Sequence, residues 1–539
     1  MGKRVPDNLL AEFSRFVEVN MGLSFPKEKW GELEKGLHSM CGQFGGGANE
    51  EIFARHVMST PLSKRRIEML AGGLTVGETY FFREKNAFDA FGHIVLAKAA
   101  GMRGSADRNL RIWSAGCASG EEPYTIAMML KMLLPDLKDW NITLLATDIN
   151  PHFLEKAAKG VYARWSFRDV PELIINRFFT KRGSGLEILP EIKKMVTFSY
   201  HNLMKDDYSS LLNNTNAMDV IFCRNVLMYF SPETIKSVTR NFHRCLTDNG
   251  RLIVSQTELN DEYFQEFGKA SHAGAMFFIK SDVGAEKKKY RLPSPAAMRE
   301  TGLTKAVISN ASCRHSGLDP QSWDFSKKPQ DSCFRRNDDQ CGLTPAGLRI
   351  DQPSPLAGAG KDEEEIRNGV AAAVLYEKAG KFFEQGEYNR AEDILGRLIE
   401  GNPGNAEALS LMARICANQG RLDDALRYIE EATKADNMNP GRHYLHSAIL
   451  KEKGLKQEAM EALKKAVYLD ADFALAYFAM GNLALGSGNR LEAERQFNNA
   501  LLLLRKHGYD DILPESEGMT AGRLMDLIES MQWRKKERG

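Results

Sequence analysis

Gly386, Gly420, Gly454 and Gly488 recur at intervals of 34 residues. Ala391, Ala425, Ala459 and Ala493 keep the same step, and Ala432, Ala466 and Ala500 add a third register. A fixed period of this length leaves few folds open. Each unit is one helical hairpin, and it buries its apolar face only by stacking on the next. The glycine ends the first helix in a tight turn, where a residue without Cβ adopts left-handed backbone freely. The alanines let the second helix approach closely. Tyr388, Leu422, Leu455 and Leu491, close behind each glycine, are expected to pack, and Pro403 and Pro440 to interrupt between units. Residues 370–508 therefore read as an all-α solenoid. Residues 509–539 follow as its end, with an amphipathic helix over 520–531 capping the last apolar face.

Upstream the pattern is different. Residues 1–100 look helical, with Leu10, Phe13, Phe16, Val17 and Val19 roughly on one face, a break at 22–26 and a second helix over 27–40. Residues 101–280 alternate strands and helices. Strands are expected over 110–115, 142–147, 195–199, 218–223, 251–255 and 276–280. Helices are expected over 122–134, 151–158, 232–246 and 261–267. Such alternation implies an α/β fold, a parallel sheet covered by helices on both faces. The stretch 160–194 is too long for a plain connection, and it is expected to carry a helix over 171–179 and a small element near 183–185.

Residues 281–369 lack any sustained period and read as a flexible linker or insertion, part of which (314–338) resembles a translated genomic repeat element. Cys313, His315, Cys333 and Cys341 lie there without a CxxC pair, so no metal site is expected. A net charge of +1 argues against bulk nucleic-acid binding. The eight cysteines have no framework spacing, which points to a reducing compartment. Met1 to Leu10 has no signal-peptide core, and no run reaches the roughly 18 apolar residues of a membrane span. The expectation is a cytoplasmic protein.

The chemistry lies in four stretches. Arg111 to Tyr124 (RIWSAGCASGEEPY) is a strand, a small-residue turn, two carboxylates and a helix start. That is the crevice of a doubly wound sheet. Glu121 and Glu122 at the helix N-terminus would repel a pyrophosphate, and the turn lacks GxGxxG, so a dinucleotide is disfavoured. S-adenosylmethionine, with a sulfonium, an amino group and a ribose, suits those carboxylates. Asp148 ends the second strand, where an ionised carboxylate can accept both ribose hydroxyls. Its competing role as a helix cap falls to Asn150, directly before Pro151. Arg224 follows an apolar strand and needs a partner, whether a ligand or a structural carboxylate. Thr75 to Glu84 (TVGETYFFRE) places three aromatics beside Arg83 ahead of the sheet.

Together these pieces resemble the chemoreceptor methyltransferase (CheR) family, which methylates receptor glutamates with S-adenosylmethionine. The resemblance covers residues 10–280, with motifs in family order at 79–83, 113–124, 146–149 and 223–230. It implies an N-terminal helical domain (1–100), a Rossmann-like S-adenosylmethionine-dependent methyltransferase domain (101–280) and, from the 34-residue period, a tetratricopeptide (TPR) solenoid. By position, Thr79 and Arg83 reach the cofactor, Glu121 its amino group and Asp148 its ribose. Asn202 and Leu203 flank the adenine, Arg224 and Asn225 close the site, and Tyr229 lies near the transferred methyl. Arg83 and Tyr229 are the expected catalytic pair. Gly77 is also expected to bind the cofactor; it stands where the family often has asparagine, so a side-chain contact is lost there and a backbone or water contact is expected in its place.

The same resemblance implies a methyl-accepting chemoreceptor cytoplasmic domain as partner, met by Lys64, Arg65 and Arg66, with a further protein partner on the repeats. Some members grip a receptor tail with a small β-subdomain. Here the loop 181–185 looks short, and tail capture is expected to be absent. The competing expectation is a signalling scaffold whose methyltransferase domain is weakened, resting on Gly77 and the odd linker.

Overall fold

The computed structural model describes residues 5–45, 49–60, 64–102, 108–134, 136–204, 208, 214–272, 274–280, 361–509, 511–516 and 519–533. Most of the expected linker, including its four candidate metal ligands, lies outside these residues. So do the side chains of Lys64 and Arg65.

Five helices come first: α1 (Asp7–Met21), α2 (Trp30–Phe44), α3 (Glu50–Ser59), α4 (Lys64–Leu74) and α5 (Lys85–Gly101). The first four share a core of Leu9, Phe13, Val17, Leu33, Leu37 and Leu70. Val19, expected on the buried face of α1, is exposed. Two residues past Val17 is about 200° around a helix, so both cannot face one core.

The strands are β1 (Asn109–Ala115), β2 (Asn141–Asp148), β3 (Val161–Tyr162), β4 (Phe179–Arg182), β5 (Gly185–Ile188), β6 (Val196–Tyr200), β7 (Met218–Cys223), β8 (Leu246–Val254), β9 (Phe267–His272) and β10 (Ala275–Lys280). Between them run α6 (Glu121–Leu133), α7 (Pro151–Lys159), α8 (Glu172–Phe178), α9 (Pro190–Lys193) and α10 (Pro232–Cys245). Seven strands form one sheet in the order β6-β2-β1-β7-β8-β10-β9. The first five are mutually parallel, β10 runs antiparallel to β8, and the edge strand β9 runs antiparallel to β10. The sheet is therefore mixed rather than wholly parallel. The helix expected over 261–267 is a short 3-10 turn, Asp261–Tyr263, and Phe267 already begins β9. Alternate residues of β1 serve two cores. Leu110 and Ile112 pack with α5 and α6, and Trp113 and Ala115 pack with α10. Two apolar faces require cover on both sides.

Strand order reverses at β1, which has β2 on one side and β7 on the other. The carboxyl ends of these strands open the crevice. The stretch 160–194 carries a complete three-stranded antiparallel sheet, β3-β5-β4, in which Gly183 turns β4 into β5. The short loop is thus the hairpin of a whole subdomain. This removes the ground on which tail capture was expected to be absent.

The repeats are four hairpins: α11 (Lys361–Glu384) with α12 (Tyr388–Gly401), α13 (Ala406–Asn418) with α14 (Leu422–Ala435), α15 (Pro440–Glu452) with α16 (Lys456–Leu469), and α17 (Ala474–Gly486) with α18 (Arg490–Leu504). Helix α19 (Ala521–Trp533) follows, and its Leu524 and Ile528 join the last apolar core. Helix α11 begins inside the segment expected as linker. The four periodic glycines hold φ between 74° and 80°, which is why the period selects glycine. The periodic alanines are buried. Of the residues behind the glycines, Tyr388 is buried but Leu455 and Leu491 are exposed. At those two turns the close helix contact comes from Ala459 and Ala493 instead.

The turns of three successive repeats rest on the amino ends of the central strands and the end of α10, opposite the crevice. Arg244 Nη2 donates to Glu384 O (2.6 Å), Asn216 Nδ2 to Ala417 O (3.4 Å) and Asn141 Nδ2 to Glu452 O (2.9 Å). Arg111, near the start of β1, pairs with the Glu452 carboxylate, and both are buried. Without Arg111 the buried Glu452 carboxylate keeps only Lys451 Nζ, at 3.6 Å, and breaking a buried pair costs up to about 3–5 kcal/mol. Arg111→Ala is therefore expected to split the repeats' thermal transition from that of the methyltransferase domain in calorimetry. Arg111→Met with Glu452→Met should restore a joint transition. A single unchanged transition in the Arg111→Ala protein would contradict this.

Candidate active site

The crevice encloses about 1220 Å³, including its open mouth. The chain between β1 and α6 turns sharply at Gly116, whose φ is 75°. A Cβ there would meet Val226 Cγ2 at 2.4 Å. The turn is pinned to β2, because Gly116 N and Cys117 N both donate to Thr147 O, at 2.8 and 2.9 Å. Asp148 then accepts from Ala118 N and Asn150 N, both at 2.8 Å. Its carboxylate thus sits in the crevice wall with lone pairs to spare. Burial pushes its pKa up to about 6, against the opposing pull of the backbone N–H groups. Asn150 caps α7 by accepting from His152 N, and so leaves Asp148 to the crevice.

Across the crevice, Arg224 follows β7. Its Nη1 donates to Glu122 Oε2 (3.0 Å), and its Nη2 donates to Arg83 O and lies 3.4 Å from Glu84 Oε2. Ser114 Oγ donates to Glu122 Oε1 (2.7 Å), and burial raises the Glu122 pKa. Glu122 lines the crevice and Glu121 does not. Glu121 points away, accepting from Ser119 and Ser166 at 2.8 and 3.1 Å. Adjacent residues on a helix point about 100° apart, so one of the pair had to turn from the crevice.

Asn225 has φ 57°, and its loop is held by one buried carboxylate. Glu258 accepts from the backbone N–H of Asn225 (2.8 Å), Val226 (2.7 Å) and Met228 (3.3 Å). Glu258 is not among the residues expected from the sequence, although Ser255 and Glu258 stand at capping-box spacing. Phe82, Glu84, Ala118 and Asn225 all combine a side chain with positive φ, and all lie at or beside this crevice. Such strain persists where the surroundings over-determine it.

The N-terminal helices close the other side. Ser24 N donates to Tyr229 O (2.7 Å), and Leu23 bridges to Phe230. Thr79, Arg83, Asp148, Asn202, Leu203, Arg224, Asn225 and Tyr229 all line the crevice. Arg83 Nη1 donates to Glu78 O (2.7 Å). Burial raises the Tyr229 phenol pKa, and nearby Arg83 partly offsets this. Asn202 Oδ1 accepts from Met204 N (3.0 Å) and its Nδ2 donates to Asn20 O (3.2 Å), so its side chain is fixed from both sides.

Gly77 does not line the crevice. A Cβ on it would lie 2.4 Å from Phe153 Cζ, and Phe153 itself lines the wall. The space next to Gly77 is filled by an aromatic ring, not left open. Gly77→Asn is expected to displace that ring from the crevice wall and so to weaken cofactor binding. Calorimetric titration with S-adenosylmethionine checks this, and tighter binding by the variant would contradict it.

The donor set suits S-adenosylmethionine. Four carboxylates line the crevice (Glu32, Glu78, Glu122, Asp148) against three cations (Lys29, Arg83, Arg224). A net-negative wall favours a cationic ligand over a pyrophosphate. Among the described residues no group of three or more His, Cys, Asp or Glu side chains is placed to hold a metal ion. Among the same residues no helix is long and apolar enough to cross a membrane.

Comparison with known proteins agrees. Residues 77–273 match the family described as CheR methyltransferase, SAM binding domain. Residues 382–449 and 442–473 match tetratricopeptide repeats. The chain is 34% identical over 197 residues to chemotaxis protein methyltransferase 2 of Vibrio cholerae, covering 36% of this chain and 67% of that protein. It is 31% identical over 253 residues to the chemotaxis protein methyltransferase of Borreliella burgdorferi, covering 46% of this chain and 87% of that one. A longer alignment, 26% identical over 383 residues, covers 70% of this chain and 87% of the Pseudomonas aeruginosa protein named "Probable biofilm formation methyltransferase WspC". A crevice walled by acceptor carboxylates at the switch point of a Rossmann-like sheet, with these relatives, places the chain in the CheR family of S-adenosylmethionine-dependent chemotaxis methyltransferases, here carrying TPR repeats.

Proposed function

We propose that this enzyme methylates glutamate side chains of a methyl-accepting chemoreceptor cytoplasmic domain, forming glutamate methyl esters, and that the repeats serve protein–protein contact. The observation that carries the reading is the meeting of Arg83 and Tyr229 at a crevice whose wall holds Asp148 and Glu122. Bound S-adenosylmethionine supplies an activated methyl on a sulfonium leaving group. Asp148 holds the ribose hydroxyls as acceptor, and Glu122, rather than Glu121, faces the amino group. Asn202 and Leu203 flank the adenine, with Thr79, Arg224 and Asn225 closing the site.

A glutamate acceptor is already ionised at neutral pH, so no general base is required. What the chain must supply is orientation. Arg83 fixes the incoming carboxylate by charge-assisted hydrogen bonds. Tyr229 stays protonated, because burial raises its pKa, and so acts as a hydrogen-bond donor rather than a base. Beside the mouth, Arg168 stacks on Tyr80 at 3.6 Å and on exposed Trp165 at 4.5 Å, a surface suited to a protein acceptor rather than a small molecule.

The test is transfer of labelled methyl from S-adenosylmethionine to purified receptor cytoplasmic fragments, read as labelled methanol released from the ester by mild base. Arg83→Ala is expected to lower turnover on the order of 100-fold, the usual penalty for a misplaced reactant. Label retained after mild base, or transfer that persists when every receptor glutamate is replaced by glutamine, would contradict the reading.

A further inference from the structure

The contacts between the repeats and the methyltransferase domain fall on elements that end at the crevice. Asn141, which donates to Glu452 O, begins β2, and Asp148 ends it. Arg111, paired with the Glu452 carboxylate, lies in β1, which runs on to Ser114 and the Gly116 turn. Asn216, which donates to Ala417 O, precedes β7, and Arg224 and Asn225 follow it. Arg244, which donates to Glu384 O, stands in the last turn of α10, whose start directly follows Tyr229 and Phe230.

The repeat turns approach closely. A Cβ on Gly386 would lie 2.6 Å from Arg244 Nε, and one on Gly420 would lie 3.4 Å from Ala217 Cβ and Thr247 Cγ2. At Gly488, in the fourth turn, a Cβ would meet nothing within 4 Å. Glycine at the first two turns therefore serves close approach as well as backbone conformation.

The element ends held in this way are also tied to one another. Arg111 Nε donates to Asn216 O (3.1 Å), and Arg111 Nη2 to Asn214 Oδ1 (2.6 Å). The Arg111 backbone N donates to Asp219 Oδ2 in β7 (2.9 Å). Asn141 Nδ2, besides reaching Glu452 O, donates to Asn109 Oδ1 at the start of β1 (2.8 Å). One buried guanidinium thus joins β1, the chain entering β7 and the repeat array. Without Glu452 it is left with the amide oxygens of Asn214 and Asn216.

At the other end of these strands the tolerance is small. Asp148, Glu122 and Asn225 stand beyond three different strands, so their spacing follows from how the strands are set against each other. A misplacement of about 1 Å in such a site costs on the order of 100-fold in rate.

We infer that the docked array holds β1, β2 and β7 in the setting that binds S-adenosylmethionine, and that Glu452 is a positioning residue for the cofactor, acting through Arg111. The two states are the array docked on the amino ends of the strands and the array released from them. The cofactor gathers the carboxyl ends of the same strands. Docking and cofactor binding therefore favour one another, and by linkage to the same extent. The role requires the cofactor site alone, whichever acceptor is methylated.

The test uses the full chain and S-adenosylmethionine. Hydrogen exchange read by mass spectrometry on the wild type needs no variant. Saturating cofactor should slow exchange at the turns around Gly420 and Gly454 by about threefold or more, although neither turn lines the crevice. Glu452→Ala, titrated by calorimetry where circular dichroism shows it folded, should bind the cofactor about fivefold or more weakly than wild type. The slowing at the turns should vanish in the same variant. A residue that merely fastened the array would lower the melting temperature and leave cofactor affinity unchanged. Equal affinity in wild type and Glu452→Ala, or turn exchange in the wild type indifferent to the cofactor, would overturn the inference.

Discussion

Arg224→Ala is expected to destabilise the methyltransferase domain by about 3–5 kcal/mol at neutral pH, the cost of leaving a buried carboxylate unpaired. The Arg224 side chain is only 2% exposed, and that of its partner Glu122 13%. Without the guanidinium, Glu122 keeps only the Ser114 hydroxyl, while Arg83 O and Glu84 lose a donor. Burial already raises the Glu122 pKa, and Arg224 is the principal force opposing it. Losing Arg224 must raise that pKa further. A carboxyl with a raised folded pKa costs stability above that pKa, and the cost is relieved as pH falls through it. The deficit of Arg224→Ala should therefore shrink on acidification toward pH 5. Arg224→Ala with Glu122→Gln should recover much of it at neutral pH. Arg224→Lys should recover little, because a point charge cannot reach both carboxylates and a backbone carbonyl. Urea unfolding followed by tryptophan fluorescence measures all three. A neutral-pH loss below about 1 kcal/mol would show that this buried pair does not hold the crevice together.

The second large effect concerns Asp148. A hydrogen bond to a charged group is worth about 1.5–3 kcal/mol, so Asp148→Asn is expected to weaken S-adenosylmethionine binding roughly 10- to 100-fold. In the wild type, affinity should fall as pH drops through about 6, where the carboxylate takes a proton. The protonated group loses an acceptor and becomes a donor. Apo stability runs the other way. The folded pKa lies above the ordinary 3.8. The native state therefore binds that proton more tightly than the unfolded chain, and this group's contribution improves on acidification. Asp148→Asn should accordingly bind cofactor poorly and without the pH step near 6, and its stability should lose the pH dependence that this carboxylate contributes. Calorimetric titration across pH 5–8, paired with thermal unfolding, separates the two trends. An unchanged pH step in the variant would assign it to another group.

Much of this architecture was legible in local spacing. A 34-residue glycine step cannot be kept by anything but repeated hairpins, because φ near 80° at each turn excludes a side chain. Asn150 before Pro151 marked a helix start, and so marked Asp148 as free for the crevice. Other elements were less legible for physical reasons. The stretch 261–267 is amphipathic enough for a helix, but Phe267 is claimed by pairing with Lys280, a contact set by the far end of β10. Glu121 and Glu122 are chemically identical neighbours, and only the positions of Ser166 and Arg224 decide which one turns inward.

What the sequence determined by itself is therefore most of the elements, their order and the residue types at the crevice, since periodicity, caps and turn residues act within a few positions of one another. The tertiary structure alone decided which of Glu121 and Glu122 lines the crevice, that Glu258 anchors the Asn225 loop, and that repeat turns rest on the sheet through Arg111 and Glu452. Each of these is a pairing of charges or strand edges across tens to hundreds of residues. Low-dielectric burial makes such pairings matter once made, but nothing local in the chain announces them.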